Sequence, residues 1–147
     1  VAVTAYWHPH VTVDGVTVIV ANVLSTTRVP LARISHVDTR WALELQCDDG
    51  HNTRAFAAPA PGASAARNLR PEDLQGLPED TYAMGSVRVG DRPGTPSGDA
   101  AVVVRTALAA WRDSRQQDDR SVARQLNLAA IVTMIAGLAA AVAGFLV

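Results

Sequence analysis

Lysine is missing from this chain: all thirteen cationic side chains are arginine, among abundant Ala and Val. Lys codons are AT-rich, so the bias points to a GC-rich bacterial genome and says nothing of mechanism. Cysteine is nearly missing too. Cys47 stands alone, which excludes an internal disulfide and removes any need for an oxidising compartment, so a cytosolic setting is the simpler expectation. Neither sign of charge is in excess. Thirteen cations against fourteen acids leave a net charge of −1, which excludes the basic, clustered footprint of a nucleic-acid binder. Val1 to His10 has no basic stretch followed by an apolar one, so no secretory signal is expected there. The first residue is Val, which fits either missing upstream residues or a valine-type start codon read literally.

Reactive motifs are equally scarce. The chain has no C-x-x-C or H-E-x-x-H to fix a metal, no G-x-S-x-G elbow, no G-K-[ST] and no G-x-G-x-x-G. His8-Pro9-His10, with His36, His51 and Cys47, supplies ligand types without a ligand spacing, and a surface His pair at a strand end is the plainer reading. Ser35-His36-Val37-Asp38 gathers nucleophile, base and acid types, but alternation along a strand sends Ser35 and His36 to opposite faces. Asp48-Asp49-Gly50 sits where a hairpin must turn, and Asp is a turn residue. Glu79-Asp80 follows Pro78 in a loop without further ligands. The stretch VGDRPGTPSGDAAVVV could cradle a phosphate where it opens a helix, yet Asp99 would repel an anion there. No catalytic residue, cofactor or metal is therefore expected.

What is present is a mainly β domain followed by one long apolar run. With 147 residues there is room for one modest core and no second globular domain. HVTVDGVTVIVANV places Val/Thr-rich runs on either side of Asp14-Gly15, the pair that suits a type I′ hairpin turn. NVLSTTRVP and ISHVDTR read as strands around a turn at LARIS, with Pro30 limiting the first. In WALELQC, Trp41, Leu43, Leu45 and Cys47 alternate with Ala42, Glu44 and Gln46, which predicts a half-buried strand paired across Asp48-Asp49-Gly50 with HNTRAFAA. Residues 59–98 form a Pro/Gly-rich excursion. It is expected to be ordered but irregular, with one helical turn at Pro71 and with Leu69, Leu74, Leu77, Tyr82, Met84, Val87 and Val89 as apolar anchors. Ser97 is the expected N-cap of an amphipathic helix over residues 98–112, whose stripe is Ala101, Val104, Leu108 and Trp111. Residues 113–127 lack Gly and Pro, which predicts a charged helical connector.

Leu128 to Val147 contains no charge, and Thr133 is its only polar side chain. Twenty helical residues rise about 30 Å, the thickness of a hydrocarbon core. The alternative is a core helix, but so small a domain cannot wrap a helix that is apolar on every face. A transmembrane helix over 128–147 is the expectation. Arg112, Arg115, Arg120 and Arg124 precede it closely, so the positive-inside rule places the domain on the cytoplasmic side of the cell membrane, in a single-pass, tail-anchored arrangement. Gly137, Ala140, Ala141 and Gly144 form a small-residue face through which helices can approach closely; frequent Ala in the proteome is the other explanation.

Strand pairs turning at DG and DDG, the run GVTVIVANVLSTTRVPLARI, then WALELQCDDG, AAPAP, LQGLPEDTY, RPGTPSGDAAVVVR and the amphipathic helix together resemble the bacterial pleckstrin-homology-like (PH-like) domains of actinobacterial membrane proteins. The likeness spans Val11 to Arg112. It implies a small, bent antiparallel barrel or sandwich over residues 1–112, capped by the C-terminal helix, with an adaptor or scaffold role and no catalytic residues. Leu31 stands after Val-Pro where the family often has Trp, and the pair of membrane helices that precedes the domain in that family is not in this sequence. The first hairpin turns on Asp14-Gly15, and the nearest cation in sequence is Arg28, so inositol-lipid recognition of the kind some PH domains show is not expected. The expected partner is an integral membrane protein met through the apolar helix and the long loop, with this chain as accessory subunit of a respiratory or transport assembly. The alternative is a module binding anionic lipid or a small molecule at the inner leaflet with Arg105, Arg112, Arg115, Arg120 and Arg124.

Overall fold

The computed structural model describes residues 9–61, 82–83, 86–87, 89–92 and 94–145. Leu69, Leu74, Leu77, Met84, the turn at Pro71 and Glu79-Asp80 lie outside them.

Among the described residues the chain is mainly β, with two larger antiparallel sheets, a two-stranded ribbon and two α-helices. Strands β1 (His10–Asp14), β2 (Thr17–Ala21) and β3 (Ser25–Pro30) form a meander, and β9 (Ala123–Leu126) completes it in the order β1-β2-β3-β9. Asp14 pairs with Thr17, so the first loop is Gly15-Val16, one residue later than expected. Gly15 alone takes positive φ, at 57°, which is the type II′ arrangement and not type I′. Pro30 ends β3. A 3-10 turn, Leu31–Arg33, then redirects the chain, with the Leu31 amide donating to the Val16 carbonyl at 2.9 Å. The second sheet has the order β4 (Ile34–Asp38), β5 (Ala42–Cys47), β6 (Asn52–Pro59). Its β5–β6 turn closes with Gly50 N–H on the Cys47 carbonyl at 3.2 Å and φ of 83° at Gly50, where a side chain would be strained. Short strands β7 (Tyr82–Ala83) and β8 (Ser86–Val87) pair with each other.

The sheets bury Val18, Val20, Val29, Ile34, Val37, Leu43, Leu45 and Ala55 against one another, with Leu31 beneath the corner. Helix α1 (Pro96–Ser114) covers this core with Ala101, Val104 and Leu108 buried and Trp111 packed at the edge, as its spacing predicts. Thr95, not Ser97, is its N-cap: the Thr95 hydroxyl accepts from the Gly98 amide at 3.0 Å. Pro96 then takes the first helical position, where a missing N–H costs nothing. Ser97 is buried and donates to the Gly90 carbonyl at 2.6 Å. Two close approaches fix this corner. A Cβ at Gly90 would meet the Thr39 carbonyl, and one at Gly98 the Arg92 carbonyl.

Three other expectations are corrected. Trp41 lies outside the buried face, 75% exposed, because a register shift between Ala42 and Leu43 breaks the alternation and buries Ala42 instead. Ser35 and His36 are both exposed, since β4 bulges between Ile34 and His36. The connector 113–127 is not helical: Arg115 adopts a left-handed conformation at φ 52°, α1 ends, and Ala123–Leu126 pairs with β3. The folded domain therefore extends past residue 112 to Leu126.

Candidate functional site

Helix α2 (Leu128–Phe145) is long and apolar enough to cross a membrane. Of its described side chains only Ala130 is buried, while Leu128, Val132, Met134, Ile135, Leu138, Val142 and Phe145 are exposed, so α2 is no part of the domain core. The Thr133 hydroxyl donates to the Ala129 carbonyl at 2.9 Å, which satisfies the one polar side chain inside the helix. Gly137, Ala140, Ala141 and Gly144 lie on the exposed surface, and a Cβ at Gly137 or Gly144 would meet nothing within 4 Å.

The other part of the site is the way α2 is joined to the sheet. Strand β9 pairs with β3 from Ser25↔Leu126 to Arg28↔Ala123, so the chain approaches α2 as a hydrogen-bonded strand. Arg28 donates to the Gln125 side chain at 2.9 Å, and Arg33 Nε to the Arg120 carbonyl at 3.1 Å. One residue, Asn127, separates β9 from α2. It is buried, and it binds the β2–β3 loop three times: its backbone amide donates to the Leu24 carbonyl (2.9 Å), and its Nδ2 to the carbonyls of Asn22 (3.0 Å) and Val23 (3.1 Å). Its own carbonyl accepts from Ile131 at 3.1 Å, the first turn of α2. Asn22 in turn clamps β6, donating to the Arg54 carbonyl at 2.8 Å and accepting from the Phe56 amide at 2.9 Å. Above this clamp lies a groove of about 430 Å³ whose walls include Val23, Leu24, Phe56, Arg54 and Arg124.

The predicted arginines are not one cluster. Arg105 is buried, contrary to the surface role considered for it: its Nη1 meets Asp91 at 2.7 Å and its Nη2 donates to the Val37 carbonyl at 3.1 Å. Asp91 also accepts from the Thr39 hydroxyl at 2.9 Å, so the loop before α1 acts as a latch for that helix. Arg112 and Arg115 are exposed at the end of α1, and Arg124 is exposed on β9. Arg120 is chelated by Asp118, with Nε and Nη2 at 2.9 and 2.8 Å from its two oxygens. That pairing raises the guanidinium and holds the Asp118 carboxyl below its ordinary range. Because this segment is extended, Arg120 stands up to about 26 Å from Leu128, at about 3.3 Å per residue, where a helix would have left it near 12 Å.

The remaining candidates make local contacts. Asp38 accepts from the amides of Thr39 and Arg40. Asp48 pairs with Arg33 at 3.3 Å, while Asp49 accepts from the His51 amide, which lowers its pKa. Burial, then Asp49 and Asp48, push the Cys47 thiol up to about 11, so it is a core residue. His8 lies outside the described residues, and among those described no group of three metal-ligand types comes together.

Sequence reasoning missed Asn127 and its grip on the β2–β3 loop. An available signal was Asn placed directly before an apolar helical run, a residue type favoured at that boundary. Comparison of the chain with protein-family models, with curated proteins and with solved structures finds no match.

Proposed function

We propose that this chain is a non-enzymatic, membrane-anchored, PH-like interaction module that serves as an accessory or scaffold subunit of an integral membrane complex. What supports this reading above all is the junction. A solvent-exposed apolar helix continues, through one buried asparagine, from a strand that belongs to the domain's own sheet. A flexible tether would let the domain roam; a paired strand holds it at one height and one orientation, as a subunit that must meet a fixed neighbour requires. Two sheets around one core, closed by α1, suit the bent barrel that the PH-like resemblance implies. The small-residue face of α2 offers close helix packing to that neighbour.

The proposed placement is single-pass in the cell membrane with the domain on the cytoplasmic side. It follows from Arg112, Arg115, Arg120 and Arg124 ahead of α2, since the positive-inside rule concerns the chain near a span during insertion. Protease added to intact spheroplasts should then leave the domain uncut.

The partner reading is tested by crosslinking in membranes followed by gentle solubilisation. A discrete membrane protein should co-purify with the full chain and be lost with Gly137→Leu/Ala141→Leu, while that variant stays in the membrane. A chain that runs as a lone monomer and crosslinks to nothing would overturn the proposal.

A further inference from the structure

The height at which the domain is held has a chemical consequence, which rests on the reading of α2 as a membrane span. Eighteen residues of α2 rise about 27 Å, so a hydrocarbon core of about 30 Å uses the whole helix and sets Leu128 at its boundary. Outside that boundary lies a headgroup layer about 5–7 Å deep on each side. Leu126 is two residues from Leu128, within about 7 Å along an extended strand. The Val23 and Leu24 carbonyls are hydrogen-bonded to Asn127 itself, and Asn22 ties Phe56 to the same loop.

These four side chains are large, apolar and exposed near the start of α2; Trp41 and Val103 are the other such residues of the described domain, and each stands apart from this loop in sequence. Val23 is 43% exposed, Leu24 41%, Leu126 58% and Phe56 69%, a run of large apolar groups at the one edge that adjoins the apolar helix. In water they would be an uncovered patch. The groove lined by Val23, Leu24 and Phe56 carries Arg54 and Arg124 and no carboxylate among its lining residues. Arg54 is paired with Glu44 at 2.8 Å, and the exposed Arg124 stands four residues from Leu128. Apolar side chains backed by a cation are the chemistry of an edge that meets phospholipid.

We infer that Val23, Leu24, Phe56 and Leu126 seat in the headgroup layer of the bilayer that α2 crosses, so that the domain lies on a lipid surface. The occupant is the membrane itself, continuous with the lipid around α2.

Depth-dependent fluorescence quenching tests this on the full chain in nanodiscs of phosphatidylcholine and phosphatidylglycerol. Single cysteines replace Leu24, Phe56, Asp14 and Leu138 in turn and carry an environment-sensitive label. Native Cys47 stays, since it is buried with a raised pKa and escapes labelling. Leu24 and Phe56 are exposed, so their replacement removes no core packing. Asp14 lies at the opposite end of the first hairpin: its register partner Thr17 is four residues, or about 13 Å, from Ala21. Labels at 24 and 56 should be quenched several-fold more by headgroup nitroxide lipid than the label at 14, and several-fold less by aqueous iodide. Labels at 24 and 56 that match the one at 14, while 138 is quenched by lipid, would overturn the inference and leave the span intact. Labels at 24 and 56 shielded from both quenchers would also overturn it, because protein and not lipid then covers the edge. A label at 138 open to iodide would bring down the span reading and this inference with it.

Discussion

The two helices are nearly equal in length and both rich in Ala and Val, yet α1 hides one face against the sheets while α2 hides almost nothing. The difference lies in the polar residues. Helix α1 carries Asp99, Arg105, Thr106, Arg112 and Asp113, enough to wet one side and to anchor the other through the buried Arg105–Asp91 pair. Helix α2 has only Thr133, whose hydroxyl is turned back onto its own backbone. One helix is built for a boundary between core and water. The other has no side for water at all, and its solvent must be supplied from outside the chain.

Breaking the polar anchor of α1 should have the largest effect. Arg105→Ala strands Asp91 in the core and should cost about 3–5 kcal/mol in chemical denaturation of the detergent-solubilised chain, whereas exposed Arg112→Ala should cost less than about 0.5 kcal/mol. Equal effects would remove the latch from the description. Giving α2 a charge should do the reverse, sparing the fold and spoiling the anchor. Leu138→Arg adds about 2.5–3.5 kcal/mol to helix insertion, roughly a hundredfold in the inserted fraction, with the domain's near-ultraviolet circular dichroism unchanged.

The junction between the two regions comes next. Asn127→Ala leaves two part-buried carbonyls without their side-chain donor and should cost about 1 kcal/mol. Amide exchange should rise first in β9 and in residues 22–24, and exchange that rises only in α1 would contradict the coupling described here.

At neutral pH the last effect is silent, because it is a dependence on alkaline pH. Cys47 is held neutral in the folded domain, so its contribution to stability is complete below its ordinary value of 9.0 and is lost as pH rises toward about 11. The loss should be absent in Cys47→Ala, measured as the difference between the two pH–stability curves.

The sequence displayed the hairpins, the stripe of α1 and the apolar run, because each rests on local periodicity or on a glycine at a turn. It concealed what depends on a distant partner. Residues 116–126 contain no helix breaker, and only the open edge of β3 explains why Ala123–Leu126 extends as a strand. Trp41 and His36 were misplaced by bulges, which shift alternation without leaving a composition mark. Arg105 looked like its exposed neighbours in sequence because Asp91, fourteen residues earlier, is brought beneath it only by the turn into α1. The junction at Asn127 was legible as a helix boundary and illegible as a clamp, since its three acceptors lie more than a hundred residues away.

Everything proposed for this chain depends on α2 having lipid as its solvent. The most direct measurement is the partition of the full chain after cell membranes are washed with alkaline carbonate and high salt. If α2 crosses the bilayer, the chain stays in the membrane pellet through both washes and is released only by detergent. Recovery of the unaltered chain in the carbonate or salt supernatant would contradict it.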